Sequence, residues 1–69
     1  MERKSVDSTN ISSIGYDENS NTLELEFHSG GVYQYFDVPL AVYNGIINAG
    51  SKGKYFAHHI KGYFRYVKV

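Results

Sequence analysis

The chain predicts an α+β fold, a three-stranded antiparallel β-meander followed by two short helices (β-β-β-α-α). Three observations carry this expectation. Thr22 to His28 alternates strictly between apolar and polar side chains, the period-two signature of a half-buried strand. Two clusters of turn residues, Asp17-Glu18-Asn19-Ser20-Asn21 and Ser29-Gly30-Gly31, bracket that segment. After Pro39 the apolar spacing changes to Leu40, Tyr43, Ile46 and Ile47, which is helical. At 69 residues the chain makes one domain near the lower size limit for independent folding, burying roughly 60% of the surface its unfolded form exposes. Seven tyrosines and four phenylalanines suit so small a core, because each large ring buries on the order of 150–250 Å².

Residues 1–9 hold only Val6 as a large apolar side chain besides Met1 and are read as a flexible lead-in, leaving residues 10–69 as the domain. Ile11 to Tyr16, with β-branched and aromatic residues, forms the first predicted strand. In the second, Leu23, Leu25 and Phe27 face the core, while Glu24, Glu26 and His28 face out. The third runs from Val32 to Phe36, and the loop before it sets its register. A three-residue loop with glycine in the left-handed position pairs His28 with Val32, puts Phe27 opposite Tyr33 and Leu25 opposite Tyr35, and turns both tyrosines to the core. A two-residue loop reverses the faces and buries Gln34 opposite Leu25; that burial favours the first arrangement. Pro39 suits the first turn of a helix, where its missing N–H is no loss. Gly50 is the expected cap at that helix's end. Ser51 caps a second helix running to about Lys61, with Gly62 as its stop. Tyr63 to Val69 forms a tail whose helical or extended state the pattern leaves open.

Charge is segregated along the chain. All seven carboxylates lie at or before Asp37, whereas Lys52, Lys54, Lys61, Arg65 and Lys68 all lie after it. Formal net charge is zero, yet the separation gives a directional potential able to steer an anionic partner to one face. At about 100° per residue, Lys54, His58 and Lys61 share one stripe of the second helix, opposite Phe56, Ile60 and Tyr63. Arg65 and Lys68 extend the stripe if the tail is helical; if it is a strand, the cations disperse. A solvated polar face is the plain reading. No carboxylate relieves the repulsion along this stripe, however, so a bound anion is the alternative. Lys52, Lys54, His58, Lys61 and Arg65 are therefore the candidate phosphate contacts of a nucleic-acid-binding module, with Tyr55, Tyr63 or Tyr66 as stacking surfaces. The competing reading is a protein-interaction or structural module that docks its basic helix on an acidic partner or pairs through an open sheet edge.

Other chemistries find little support. Without cysteine there is no disulfide, thiolate-metal or cysteine-nucleophile chemistry. Adjacent His58 and His59 point about 100° apart on a helix, unlike an i,i+4 ligand pair, and neither metal nor cofactor is expected. The run Asn48 to Lys54 fails as a P-loop: Asn48 stands where the first glycine is required and Tyr55 replaces the metal-binding hydroxyl. What remains there is an anion-friendly helix start or a turn shaped by glycine and capped by Ser51. A nuclease using His58 or His59 with Glu24 or Glu26 and Arg65 is conceivable, but no spacing demands it, since paired carboxylates on an outer sheet face are usually solvated; no catalytic residue is assigned. The polar opening Met1-Glu2-Arg3-Lys4-Ser5 and the absence of any run near the ~18 apolar residues of a membrane span lead us to expect a soluble cytoplasmic protein without membrane contact.

Ile14-Gly15-Tyr16-Asp17, Leu23 to Phe27 with Gly30, Tyr33-Gln34-Tyr35, Val38-Pro39, Val42-Tyr43, Ser51 to Phe56 and Ile60-Lys61-Gly62-Tyr63 together resemble the KTSC domain. That short module is named after the C-terminal extension of some lysyl-tRNA synthetases and also occurs as a stand-alone small bacterial protein. Phe64 stands where relatives often carry proline, and Gly50 precedes Ser51 where other residues are common. The resemblance implies a fold compatible with β-β-β-α-α, and through the synthetase context it implies RNA, tRNA in particular, as a partner.

Overall fold

A computed structural model describes residues 1–69. The domain is α+β with an antiparallel sheet and two helices, as expected, but the sheet has five strands rather than three: β1 (Arg3–Ser5), β2 (Ile11–Asp17), β3 (Thr22–Phe27), β4 (Val32–Tyr35) and β5 (Tyr66–Lys68), in spatial order 1-2-3-4-5. The two helices, α1 (Leu40–Asn48) and α2 (Lys52–His59), lie between β4 and β5 in the chain. Both extra strands come from segments that patterning could not assign. Residues 1–9, expected to be a flexible lead-in, supply β1, which pairs Arg3 with Gly15 and Ser5 with Ser13. The tail is extended, and β5 pairs Tyr66 with Tyr35 and Lys68 with Tyr33. Three residues are too few for an alternation signal; pairing to a longer neighbour makes each strand.

One sheet face carries Ile14, Leu23, Leu25, Phe27, Tyr33 and Tyr35, and the helices cover it. Ile11, Ile14, Leu23, Leu25, Tyr35, Val38, Ile46 and Ile60 form the buried core. Ile11 and Ile14 are three apart and would point to opposite faces of a regular strand. The register shifts between Ile11 and Ser13, so a bulge at Ser12 lets both reach the core.

The β3–β4 connection is a three-residue loop with a left-handed glycine, but it consists of His28-Ser29-Gly30, with Gly30 at φ 108°. The Phe27 N–H donates to the Gly31 carbonyl at 2.9 Å, and the ladder pairs Leu25 with Tyr33 and Leu23 with Tyr35. The register therefore sits two residues from the expected one. A two-residue slip keeps the faces, so Tyr33 and Tyr35 still point to the core, Tyr35 buried and Tyr33 half-buried.

Pro39 caps the start of α1. Gly50 does not end it: Ala49 takes the cap position with extended backbone, and its N–H donates to the Ile46 carbonyl. Ser51 caps α2, its hydroxyl accepting from the Lys54 N–H at 3.3 Å. Gly62, at φ 84°, turns the chain toward β5.

Candidate nucleic-acid interface

The segment before β2 is fastened to the β3–β4 turn. The Ser8 hydroxyl accepts from the Asn10 and Ile11 N–H groups, each at 3.2 Å, folding residues 8–10 into a tight turn. The His28 N–H donates to the Asn10 carbonyl at 3.0 Å, and His28 Nε2 lies 2.8 Å from the Ser8 carbonyl oxygen. On the other side α2 crosses above Phe27: the Phe27 and Phe56 rings meet edge to face at 5.2 Å. Gly53, in the first turn of α2, lies so close to the Asn10 side-chain amide that a Cβ would collide with it.

Between these parts lies an open cleft of about 400 Å³. Phe27, Phe56, Ala57 and the Gly53 backbone make its apolar floor and wall, and Thr9, Asn10, His28, Ser29 and Lys61 supply its polar rim. No carboxylate lines it. The two ion pairs of the molecule, Arg3–Glu24 and Arg65–Asp37, do not involve Lys61. The side chains of Asn10, Ser29 and Lys61 make no hydrogen bond within the protein, and all three residues are exposed at the rim. Aromatic floor, amide and hydroxyl rim and one free cation suit a ligand with both a flat and an anionic part.

The five sequence-derived phosphate contacts separate into two groups. Lys54, His58 and Lys61 are exposed, Lys54 and His58 on α2 beside the cleft and Lys61 in the turn that follows, where it lines the cleft. Lys52 is half-buried and its ammonium donates to the Ala49 carbonyl at 3.1 Å, where it offsets the partial negative charge at the end of α1. Arg65 pairs with Asp37 at 3.2 Å and its guanidinium lies 5.4 Å from the Phe36 ring centre. Lys68 is on β5. Because the tail is a strand, the cations disperse from the helix stripe. Of the stacking candidates, Tyr55 packs against Gly45 and the His59 ring. Tyr66 leans on Tyr33 and Tyr35, and Tyr63 is exposed.

The opposite sheet face holds a polar network. Glu24 is 6% exposed, not solvated as its outward strand position implies. Arg3 reaches across Gly15 to pair with it, and Gln34 Nε2 donates to Glu24 Oε1 at 2.8 Å. Arg3 Nε also donates to the Ser13 hydroxyl, which donates to Glu26 Oε1, both at 2.9 Å. Burial alone would raise the Glu24 pKa; the hydrogen bonds from Gln34 and Arg3 and the nearby guanidinium outweigh it and hold the carboxyl below its ordinary value. The sheet separates Glu24 and Glu26 from His58 and His59, so the conceivable nuclease constellation is not assembled.

Of the nine residues that line the cleft, only Lys61 was among the sequence-derived contacts. One usable signal existed: a glycine inside the first turn of a helix marks a close approach, and here the approaching group is Asn10.

This sheet and helix pair define a small α+β domain with one carboxylate-free cleft where α2 meets the β3–β4 turn. The chain belongs to the KTSC domain family, whose sequence profile matches residues 7–64. It is 50% identical over 59 residues to a lysine–tRNA ligase of Nostoc sp., a match covering 86% of this chain and 10% of the ligase. The chain thus spans about a tenth of the length of the ligases it matches. It is 36% identical over 70 residues to an uncharacterised protein of Stutzerimonas stutzeri, covering 100% of this chain and 99% of that protein. The crystal structure of a KTSC domain protein from Yersinia pestis superposes with a TM-score of 0.97 at 41% identity, covering 99% of this chain and 96% of the other.

Proposed function

We propose that the protein is a small non-enzymatic RNA-binding module whose basic surface is the cleft end of α2. One observation carries the reading: Lys54, His58 and Lys61 stand exposed beside a cleft without carboxylates, while Asp17, Glu18 and Asp37 lie at the other end of the sheet. β3 separates the two ends, and its six residues span roughly 20 Å. An RNA strand entering the cleft meets these cations with no carboxylate in the cleft lining, although Asp7 stands on the neighbouring segment near Lys52. Similarity to part of the lysine–tRNA ligases supports tRNA as the first RNA to try. A cytoplasmic setting accords with this reading, and no helix is long and apolar enough to cross a membrane.

The test is a tRNA titration at two ionic strengths. Contacts to two or three phosphates give weak binding with a log–log salt slope of roughly −1.5 to −2. Lys54→Glu with Lys61→Glu should abolish it. No binding at low salt, or binding indifferent to those substitutions, contradicts the reading.

A second reading, a protein-interaction module, is favoured by β5. The Phe36 N–H donates to the Arg65 carbonyl and the Val69 N–H to the Val32 carbonyl, so in the alternating antiparallel ladder the backbone groups of Tyr66 and Lys68 face away from β4. Tyr63, Tyr66, Val67 and Val69 around this open edge are exposed, a surface on which a partner strand can pair. The exposed cations of α2 offer the other docking surface, for an acidic protein. A pull-down partner that survives nuclease treatment supports this second reading, and recovered RNA supports the first.

A further inference from the structure

We infer that the cleft between the β3–β4 turn and α2 receives one unpaired nucleotide, its base against Phe56 and Phe27 and its phosphate at Lys61. The inference rests on the RNA-binding reading and deepens it from a charged surface to a defined subsite. Three features of the cleft carry it. Its volume of about 400 Å³ falls in the range of small-ligand sites and suits a single nucleoside better than a duplex. Its floor is aromatic, and a nucleobase packs against such a surface whatever its sequence identity. Its rim offers the Lys61 ammonium, the Asn10 amide and the Ser29 hydroxyl, none engaged within the protein and none opposed by a carboxylate. An ammonium and a hydroxyl are phosphate donors, and an amide is both donor and acceptor for a base edge.

The other large cleft argues that this combination is not generic. About 480 Å³ in volume, it is lined by Glu2, Asp17 and Glu18 among others and repels the same ligand. Both clefts have an aromatic lining residue, Tyr16 in the acidic one and Phe27 and Phe56 in the other, and only the second is free of acid.

The test is a two-dimensional NMR titration of the intact chain with adenosine 5′-monophosphate, adenosine and inorganic phosphate, alongside the tRNA titration. Adenosine monophosphate should shift the amides of Asn10, Ser29, Ala57 and Lys61, with a Kd of about 1 mM. Adenosine and phosphate should each bind about tenfold more weakly, since each keeps only half of the contacts. Two exposed positions give variants that spare the core: Ala57→Trp fills the cleft and Ser29→Glu charges its rim. Each should weaken adenosine monophosphate binding about tenfold or more, with thermal unfolding confirming that the variant folds. Absence of shifts in the cleft, phosphate binding as well as the nucleotide, or two folded variants that bind undiminished overturns the inference. Salt-sensitive tRNA binding together with a silent cleft rejects the subsite and leaves the RNA-binding reading standing. Nucleotide binding without tRNA binding rejects that reading and retains the cleft as a site for free nucleotides.

Discussion

Glu24 shows what a strand pattern conveys about a residue and what it omits. Alternation assigned it to the outer face correctly, yet Arg3, from a segment without a pattern of its own, lies over it and buries it. Its folded pKa is lowered, so the carboxylate contributes stability that is complete above the unfolded glutamate pKa and lost as pH falls through the folded value. Glu24→Gln should therefore cost about 1–3 kcal/mol at neutral pH and flatten the acid limb of a circular-dichroism stability profile; an unchanged acid limb would contradict the assignment. Gly53 joins local structure to the cleft. Gly53→Ala should gain up to about 1 kcal/mol in helix propensity, because the atom that its Cβ meets is the mobile end of Asn10. The displaced amide should weaken nucleotide binding, so stability measured by denaturant and affinity measured by NMR should move in opposite directions. Parallel changes would refute this role for Gly53.

At the scale of elements, the pattern was informative where segments were long and silent where they were short. The run Thr22 to His28, Pro39 and the Ser51 cap located β3 and both helices. β1 and β5 escaped because three residues have no usable period, and their existence depends on neighbours distant in the chain. The loop of β3–β4 was legible as to kind but not position: Gly30 and Gly31 are both turn residues, and only the Phe27–Gly31 backbone bond fixes which of them closes the loop. The candidate site was half legible for the same reason. Lys54 and His58 share a helix stripe that sequence spacing reveals, Lys61 follows in the turn because α2 ends at His59 rather than near Lys61, and the roles of Lys52 and Arg65 depend on Ala49 and Asp37. β5 has a measurable consequence. Burial, followed by the neighbouring Tyr33 and Tyr66, pushes the Tyr35 pKa up to about 12. Because the folded value exceeds the unfolded one, the stability linked to Tyr35 is complete below the ordinary tyrosine range and lost as pH rises through the folded value. Phenolate absorbance in an alkaline titration should show a late-ionising tyrosine, and Tyr66→Ala should shift that step to lower pH. A titration without a late step would contradict the packing of β5 over Tyr35.

Across the whole molecule, sequence order becomes spatial order. The acidic first half and the basic second half do not simply form two faces, because Arg3 pairs with Glu24 within the first half and Arg65 crosses from the second to pair with Asp37. After those pairings, Asp17 and Glu18 remain at the β2–β3 turn, Asp7 on the segment before β2, and Lys54, His58 and Lys61 around the cleft. The small core sets a limit on any test by substitution. Leu25→Ala should cost about 2–5 kcal/mol, comparable to the total stability of about 5 kcal/mol expected at the lower end for small domains, so informative variants belong on the exposed cleft rim. The most direct measurement is an amide-resolved NMR map with a short unstructured RNA added at low salt. Shifts should concentrate at Asn10, His28, Ser29, Ala57 and Lys61, spread to Lys54 and His58, spare Asp17, Glu18 and Asp37, and fade as salt is raised. No shifts, or shifts centred on Tyr66 to Lys68 or on the β2–β3 turn, would contradict RNA binding at the cleft.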